Sequence, residues 1–168
     1  QIVDEDVAAE IVAEDPFEAL TEIDQNTPTA VVMPTKLFAP NRKNSKGWDV
    51  HDADDLKAIE TARTPFLHHQ WKAKPLLTFD PVGGESHAVV NPADPKDRVG
   101  RATFVSAQDL EQALSTAQKW HAPEHERAAV LRRGADLYEA HFGELFALLT
   151  REAGKSQTDA ISELREAV

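Results

Sequence analysis

Paired histidines are the first residues here with a spacing suited to chemistry. His121 and His125 stand four apart, which on one helix would bring two imidazoles to one metal ion. Pro123 breaks the helix between them and no third ligand is evident, so they read as surface histidines. His68 and His69 are adjacent and in a strand would face opposite ways. Gly83-Gly84 lacks both the G-x-G-x-x-G spacing and the P-loop Lys-Ser/Thr, and reads as a turn. Asp54-Asp55 stand at a helix start, where carboxylates complement the dipole. Arg151, Glu152 and Lys155 near a helix end read as dipole chemistry too. Arg132-Arg133 suit either an anion or a solvated face paired with Asp136; the solvated face is the simpler reading. The chain has no cysteine, which excludes a thiol nucleophile, thiolate metal ligands and disulfides within it. Residue types alone therefore assign no catalytic, cofactor-binding or metal-binding residue.

The elements that would carry these groups belong to a chain of 168 residues, 41% hydrophobic and 28% charged. That is an ordinary composition for one domain or two small ones. No apolar run approaches the roughly 20 residues of a membrane-spanning helix, and no secretory signal is visible. Acids outnumber bases by 29 to 18, a net charge of −11. This argues against nucleic-acid binding, which needs a basic face to neutralise phosphates. The acidity is concentrated at one end. Asp4, Glu5, Asp6, Glu10, Glu14, Asp15, Glu18, Glu22 and Asp24 fall within residues 1–24, which contain no base. A solvated helix or tail is the simplest form for such a run.

Two short helical pieces are expected on either side of Asp15-Pro16, with Asp15 as cap and Pro16 at the first helical position. Residues 25–50 read as an irregular connector with one extended piece at 30–33. Residues 52–63 read as a helix capped by Asp52, with Leu56 and Ile59 on one face. Residues 64–87 are proline-rich, yet Phe66, Trp71, Leu76, Leu77 and Phe79 make them too apolar for a free tether. Val89-Val90 and 99–105 then read as two strands joined by a turn at 91–95. Ser106 caps a helix expected to run on to Trp120. Pro123 opens a helix reaching about His141. Residues 144–153 form another, stopped by Gly154 at a left-handed position. Ser156 caps the last helix, with Asp159 three residues on. Its stripe of Ala160, Ile161, Leu164, Ala167 and Val168 has no stop signal, so the chain reads as a piece of something longer.

Several of these stretches carry a family pattern. Val90-Asn91-Pro92-Ala93-Asp94, Val99-Gly100 and the amphipathic helix that follows resemble the start of an aldehyde dehydrogenase. Residues 126–139, ERAAVLRRGADLYE, are similar to a helix of that family, and 151–155, REAGK, to one of its helix ends. Asp159-Ala160-Ile161 and 163–168, ELREAV, resemble the next helix in the semialdehyde-oxidising branch. The upstream half is unlike an aldehyde dehydrogenase. Residues 2–7, IVDEDV, then Asp15-Pro16, then 37–49, LFAPNRKNSKGWD, resemble the junction of proline utilization A, as does 71–76, WKAKPL.

This resemblance implies a bifunctional oxidoreductase of proline catabolism. An FAD-dependent barrel would oxidise proline to pyrroline-5-carboxylate. Hydrolysis would open that product to glutamate semialdehyde, which an NAD-dependent aldehyde dehydrogenase would oxidise to glutamate through a cysteine thioester. The implied parent is α/β with a Rossmann-type NAD domain, and this chain is expected to be mostly helical with one short β-hairpin. Residues 1–24 would be the tail of the barrel region, 25–86 the interdomain connector and 87–168 the start of the dehydrogenase domain. The resemblance places one residue, Glu166, near the semialdehyde; read by itself, Glu166 is a surface helix acid beside Arg165. No catalytic residue and no bound FAD or NAD is expected of this chain alone. The parent is expected to be a homo-oligomer, cytoplasmic or peripheral to a membrane, with this chain packed on the rest of its polypeptide and helping to wall a passage for the intermediate. From the residues, a self-standing acidic interaction module is the alternative; a single-function semialdehyde dehydrogenase with an extension is a third reading.

Overall fold

The computed structural model describes residues 6–21 and 31–168. Asp4, Glu5, Glu22 and Asp24 of the acidic segment, and Ala30, lie outside the described residues. The chain divides into two compact units, 1–43 and 44–168.

The first unit holds helices α1 (Ala9–Val12) and α2 (Pro16–Thr21) and a 3₁₀ turn at Pro34–Lys36. Asp15 caps α2 as its sequence position implies, accepting the Phe17 N–H at 2.8 Å. Proline at the first helical position costs no hydrogen bond, because that N–H has no helical partner. Residues 31–33 pair with no strand among the described residues; Val31, Val32 and Met33 are exposed, and Met33 has an extended backbone at φ −59° and ψ 143°.

The second unit is a helical core beside a small sheet. Its elements are α3 (Ala53–Arg63), β1 (Trp71–Ala73), β2 (Ser86–Val90), β3 (Arg98–Thr103), α4 (Ala107–Thr116), α5 (Glu124–Ala140), α6 (Phe142–Glu152) and α7 (Gln157–Ala167). Local signals set most helix starts. Asp52 accepts the N–H groups of Asp54 and Asp55, Ser106 that of Asp109, and Ser156 that of Asp159. Each satisfies donors that the first turn leaves without a helical acceptor. Gly154, at φ +64°, takes the left-handed position after α6.

The core lies where α3, α6 and α7 meet. Ile59, Phe146, Ala160, Ile161 and Leu164 are buried together, and Trp48, Phe142, Leu145 and Leu149 pack around them. Trp48 stacks on Phe142 with centroids 4.8 Å apart and meets Phe146 edge-on at 5.3 Å. Contact between α3 and α6 is close enough to require glycine. A Cβ on Gly143 would fall 2.5 Å from the Ala62 backbone.

The hairpin expected from the sequence is present as β2 and β3, but the sheet has three strands in the order β1-β3-β2. β1 pairs parallel to β3, with Trp71 opposite Gly100. Three residues, Trp71-Lys72-Ala73, followed at once by Lys74-Pro75, carry no strand pattern of their own; β1 exists because β3 offers it an edge. Gly100 permits this approach, since a Cβ there would lie 2.2 Å from the Trp71 carbonyl oxygen.

Several boundaries differ from expectation: β2 begins at Ser86 and not Val89, β3 ends at Thr103 and not 105, and α6 begins at Phe142 and not 144. α4 ends at Thr116, so Trp120 lies outside it, 56% exposed. The Ser115 and Thr116 hydroxyls turn back onto the Gln112 carbonyl, a bond that competes with continued helix. Pro123 flanks α5 as its cap residue and Glu124 is the first helical residue.

Candidate functional site

Two buried polar nodes fix the segment between α3 and β2 onto the rest of the second unit. The first is centred on Arg151, near the end of α6 and only 6% exposed. Its Nε donates to Asp97 Oδ2 at 3.0 Å and its Nη2 to Asp97 Oδ1 at 2.7 Å, a bidentate pair. Its Nη1 donates to the carbonyls of His69 at 2.6 Å and Phe66 at 3.1 Å. The guanidinium carbon also lies 5.3 Å from the centroid of the Trp71 ring. One side chain thus ties α6 to the β2–β3 turn and to the segment leading into β1. Trp71 adds a second tie to α6, donating through Nε1 to Glu144 Oε1 at 2.9 Å.

The Arg151 hydrogen bond holds Asp97 below the usual carboxylate range, with help from the Asn91 amide against partial burial. The sequence reading made Arg151 a dipole partner at a helix end; its burial and its partners overturn that. Its acceptors lie 54, 82 and 85 positions away in the chain, so no local signal marks them.

Asp109 makes the second node, 1% exposed in the first turn of α4. It accepts from the Ser106 hydroxyl at 2.7 Å and from the Val82 and Gly83 N–H groups at 2.9 Å each. The Ser106 hydrogen bond leads in lowering its pKa, and the two backbone donors reinforce it. Gly83 is a turn residue, as its sequence implies, at φ +88°. Its anchoring by a carboxylate 26 residues away was not legible.

Glu166 lies on the exposed flank of α7, opposite the buried Ala160, Ile161 and Leu164. Lys155 and Glu163 form an ion pair on that flank. Glu163 raises the Lys155 pKa most, and Asp159 and Glu166 add to the effect. Three carboxylates thus act on one lysine, and the flank is anionic. His121, His125, Arg132, Arg133 and Asp136 are all exposed and make no ion pair with one another. His69 instead packs edge-on against Trp71, with centroids 4.9 Å apart. Among the described residues no group of three potential ligands gathers to hold a metal.

The chain is 39% identical over 170 residues to the bifunctional protein PutA of Salmonella typhimurium, covering 95% of this chain and 13% of that protein. It is 35% identical over 134 residues to 1-pyrroline-5-carboxylate dehydrogenase 2 of Bacillus subtilis, covering 75% of this chain and 26% of that one. The chain therefore spans a minor part of the relatives it matches. The 1-pyrroline-5-carboxylate dehydrogenase of Thermus thermophilus shares the fold, with a TM-score of 0.61 at 21% identity over 74% of this chain and 25% of that structure. Residues 80–168, from the Asp109-anchored strap to the end of α7, match the aldehyde dehydrogenase family, and the chain belongs to that family.

Proposed function

We propose that this chain joins the two catalytic parts of a bifunctional proline-catabolic enzyme. In that enzyme a flavin-dependent part oxidises proline to pyrroline-5-carboxylate, and an NAD-dependent part oxidises the derived glutamate semialdehyde to glutamate. The span of the likeness carries this reading. The alignment with PutA takes in 95% of the chain, whereas the aldehyde dehydrogenase match begins only at residue 80. Residues 1–24 would then close the proline-oxidising part, 25–86 connect, and 87–168 begin the dehydrogenase.

FAD and NAD, when bound, supply the oxidising chemistry. The chain has no cysteine, and none of its residues makes a glycine-rich phosphate loop. What the chain contributes is position. Arg151 and Asp109 pin the connector at 66–69 and at 82–83. Between these anchors the apolar Leu76 is 93% exposed and available to seal against another part of the enzyme, along the path of the intermediate. Glu166 sits on an anionic flank, suited to the ammonium group of glutamate semialdehyde. The working enzyme is a homo-oligomer in this reading.

Full-length protein given proline and NAD is expected to form NADH with no pyrroline-5-carboxylate added. NADH formed only from added pyrroline-5-carboxylate would instead make it a single-function dehydrogenase, a reading that the Bacillus subtilis alignment favours. Replacing residues 74–80 by Gly-Ser spares both anchors. It is expected to lengthen the lag before NADH appears while each half-reaction, assayed alone, stays unchanged.

A further inference from the structure

The three-stranded sheet has two unlike faces. On one, Trp71 turns to α6 and bonds Glu144. The other gathers cations. Lys72 stands directly opposite Arg101, and Ser86 opposite Thr103. Lys74 follows β1, and Lys72, Lys74, Arg101 and Thr103 border one open cleft of about 380 Å³. Like charges facing each other across strands repel. Here the repulsion is unrelieved: none of the ion pairs among the described residues involves Lys72, Lys74 or Arg101. Arg101 donates instead to the Ser86 hydroxyl at 3.2 Å. On a chain of net charge −11, a cationic face without one carboxylate lacks its counterpart.

A second observation concerns the backbone. β1 is an edge strand, since the order is β1-β3-β2. Apart from its pairing with β3, no backbone hydrogen bond of residues 71–73 occurs among the described residues. Among the described residues an unpaired edge therefore borders the cationic face. Such an edge accepts a further strand, with main-chain bonds giving affinity and alternate side chains giving specificity.

We propose that β1 receives an extended acidic segment of another protein, with carboxylates at alternate positions beside Lys72 and Lys74 and within the field of Arg101 on the next strand. The geometry matches. Alternate residues of a strand are roughly 6.6 Å apart on one face, the same step that separates Lys72 from Lys74. A second copy is a poor occupant, because pairing two β1 edges would set lysines against lysines. A nucleic acid is a poor one too. Three cations release few counterions, and the acidic chain repels a phosphate polymer at a distance.

The test titrates full-length protein with a fluorescein-labelled nonapeptide alternating valine and glutamate, read by anisotropy. Saturable binding is expected, weakening with salt and falling about tenfold or more in the Lys72→Glu/Lys74→Glu variant and in Arg101→Glu. The lysine variant is expected to gain affinity for the valine–lysine counterpart, a gain that unfolding would not produce. Backbone N-methylation on one edge of the peptide is expected to abolish binding. Lys72→Gln/Lys74→Gln, with its circular dichroism unchanged, gives a milder loss. Absence of saturable binding, or equal binding to all variants, overturns the proposal. So does a change in oligomeric state in the variants without peptide, which would make a second copy the occupant. None of these readouts depends on proline or NAD.

Discussion

α6 and α4 are both short amphipathic helices, yet they have opposite fates. α6 buries Gly143, Phe146, Ala147 and Arg151. α4 leaves Leu110 and Leu114 exposed and buries only Asp109, and the 17-residue α5 buries nothing. Pattern does not separate them; neighbours do. α6 lies against α3 through the Gly143 contact with Ala62 and against α7 through the Phe146 cluster. A stripe of apolar residues states what a helix is able to bury. Burial itself needs a second surface at the right distance.

The contrast can be broken most forcefully at Arg151. Arg151→Ala leaves Asp97 without its cation and two carbonyls without a donor, and is expected to cost about 3–5 kcal/mol. Native-state hydrogen exchange at the α6 amides would read this as local opening. Phe146→Ala should cost a similar amount, about 3–5 kcal/mol, by leaving a cavity between α3 and α7. The Arg151 node also carries a pH signature. Because Asp97 titrates below its ordinary value of 3.8, the pair's stabilisation is complete above that value. It fades as pH falls through the lower folded-state value. Amide protection in α6 should weaken with acid over that range in the parent protein and not in Arg151→Ala. Ser156→Ala removes one cap of α7 and should cost about 1 kcal/mol, seen in the first-turn amides. At the small end, Leu131→Ala, at a position 77% exposed, should change stability by no more than about 0.5 kcal/mol. A cost of about 2 kcal/mol or more there would show that α5 is covered in the full-length protein.

The same division governs what the sequence revealed. The Asp52, Ser106 and Ser156 caps, the Gly154 stop and the Asp15-Pro16 start were legible because each is settled within four residues. The buried stripe of α7 was legible through its helical period. The hairpin was legible from its strands and turn. β1 was not, since its only cause is the edge of β3 and the absent side chain of Gly100. Arg151 looked like any basic residue at a helix end, because its acceptors are far away in sequence. Asp109 drew no reading at all, since the Val82 and Gly83 N–H groups it accepts lie 27 and 26 residues away. Glu166 was named through family resemblance; its surroundings add an anionic flank and no bound partner.

The reach of Arg151 has a consequence for the order of folding. α6 and α7 adjoin in sequence and close with little loss of chain freedom. Bringing Arg151 to the Phe66 carbonyl closes a loop of 85 residues. Compared with a ten-residue closure this costs about 2 kcal/mol more in chain entropy. The α6–α7 pair is therefore expected to stand in the transition state, with fractional φ-values there. The sheet and its arginine clasp would follow, with values near zero at Asp97 and Trp71. Changes at the clasp should then speed unfolding and leave the folding rate almost untouched.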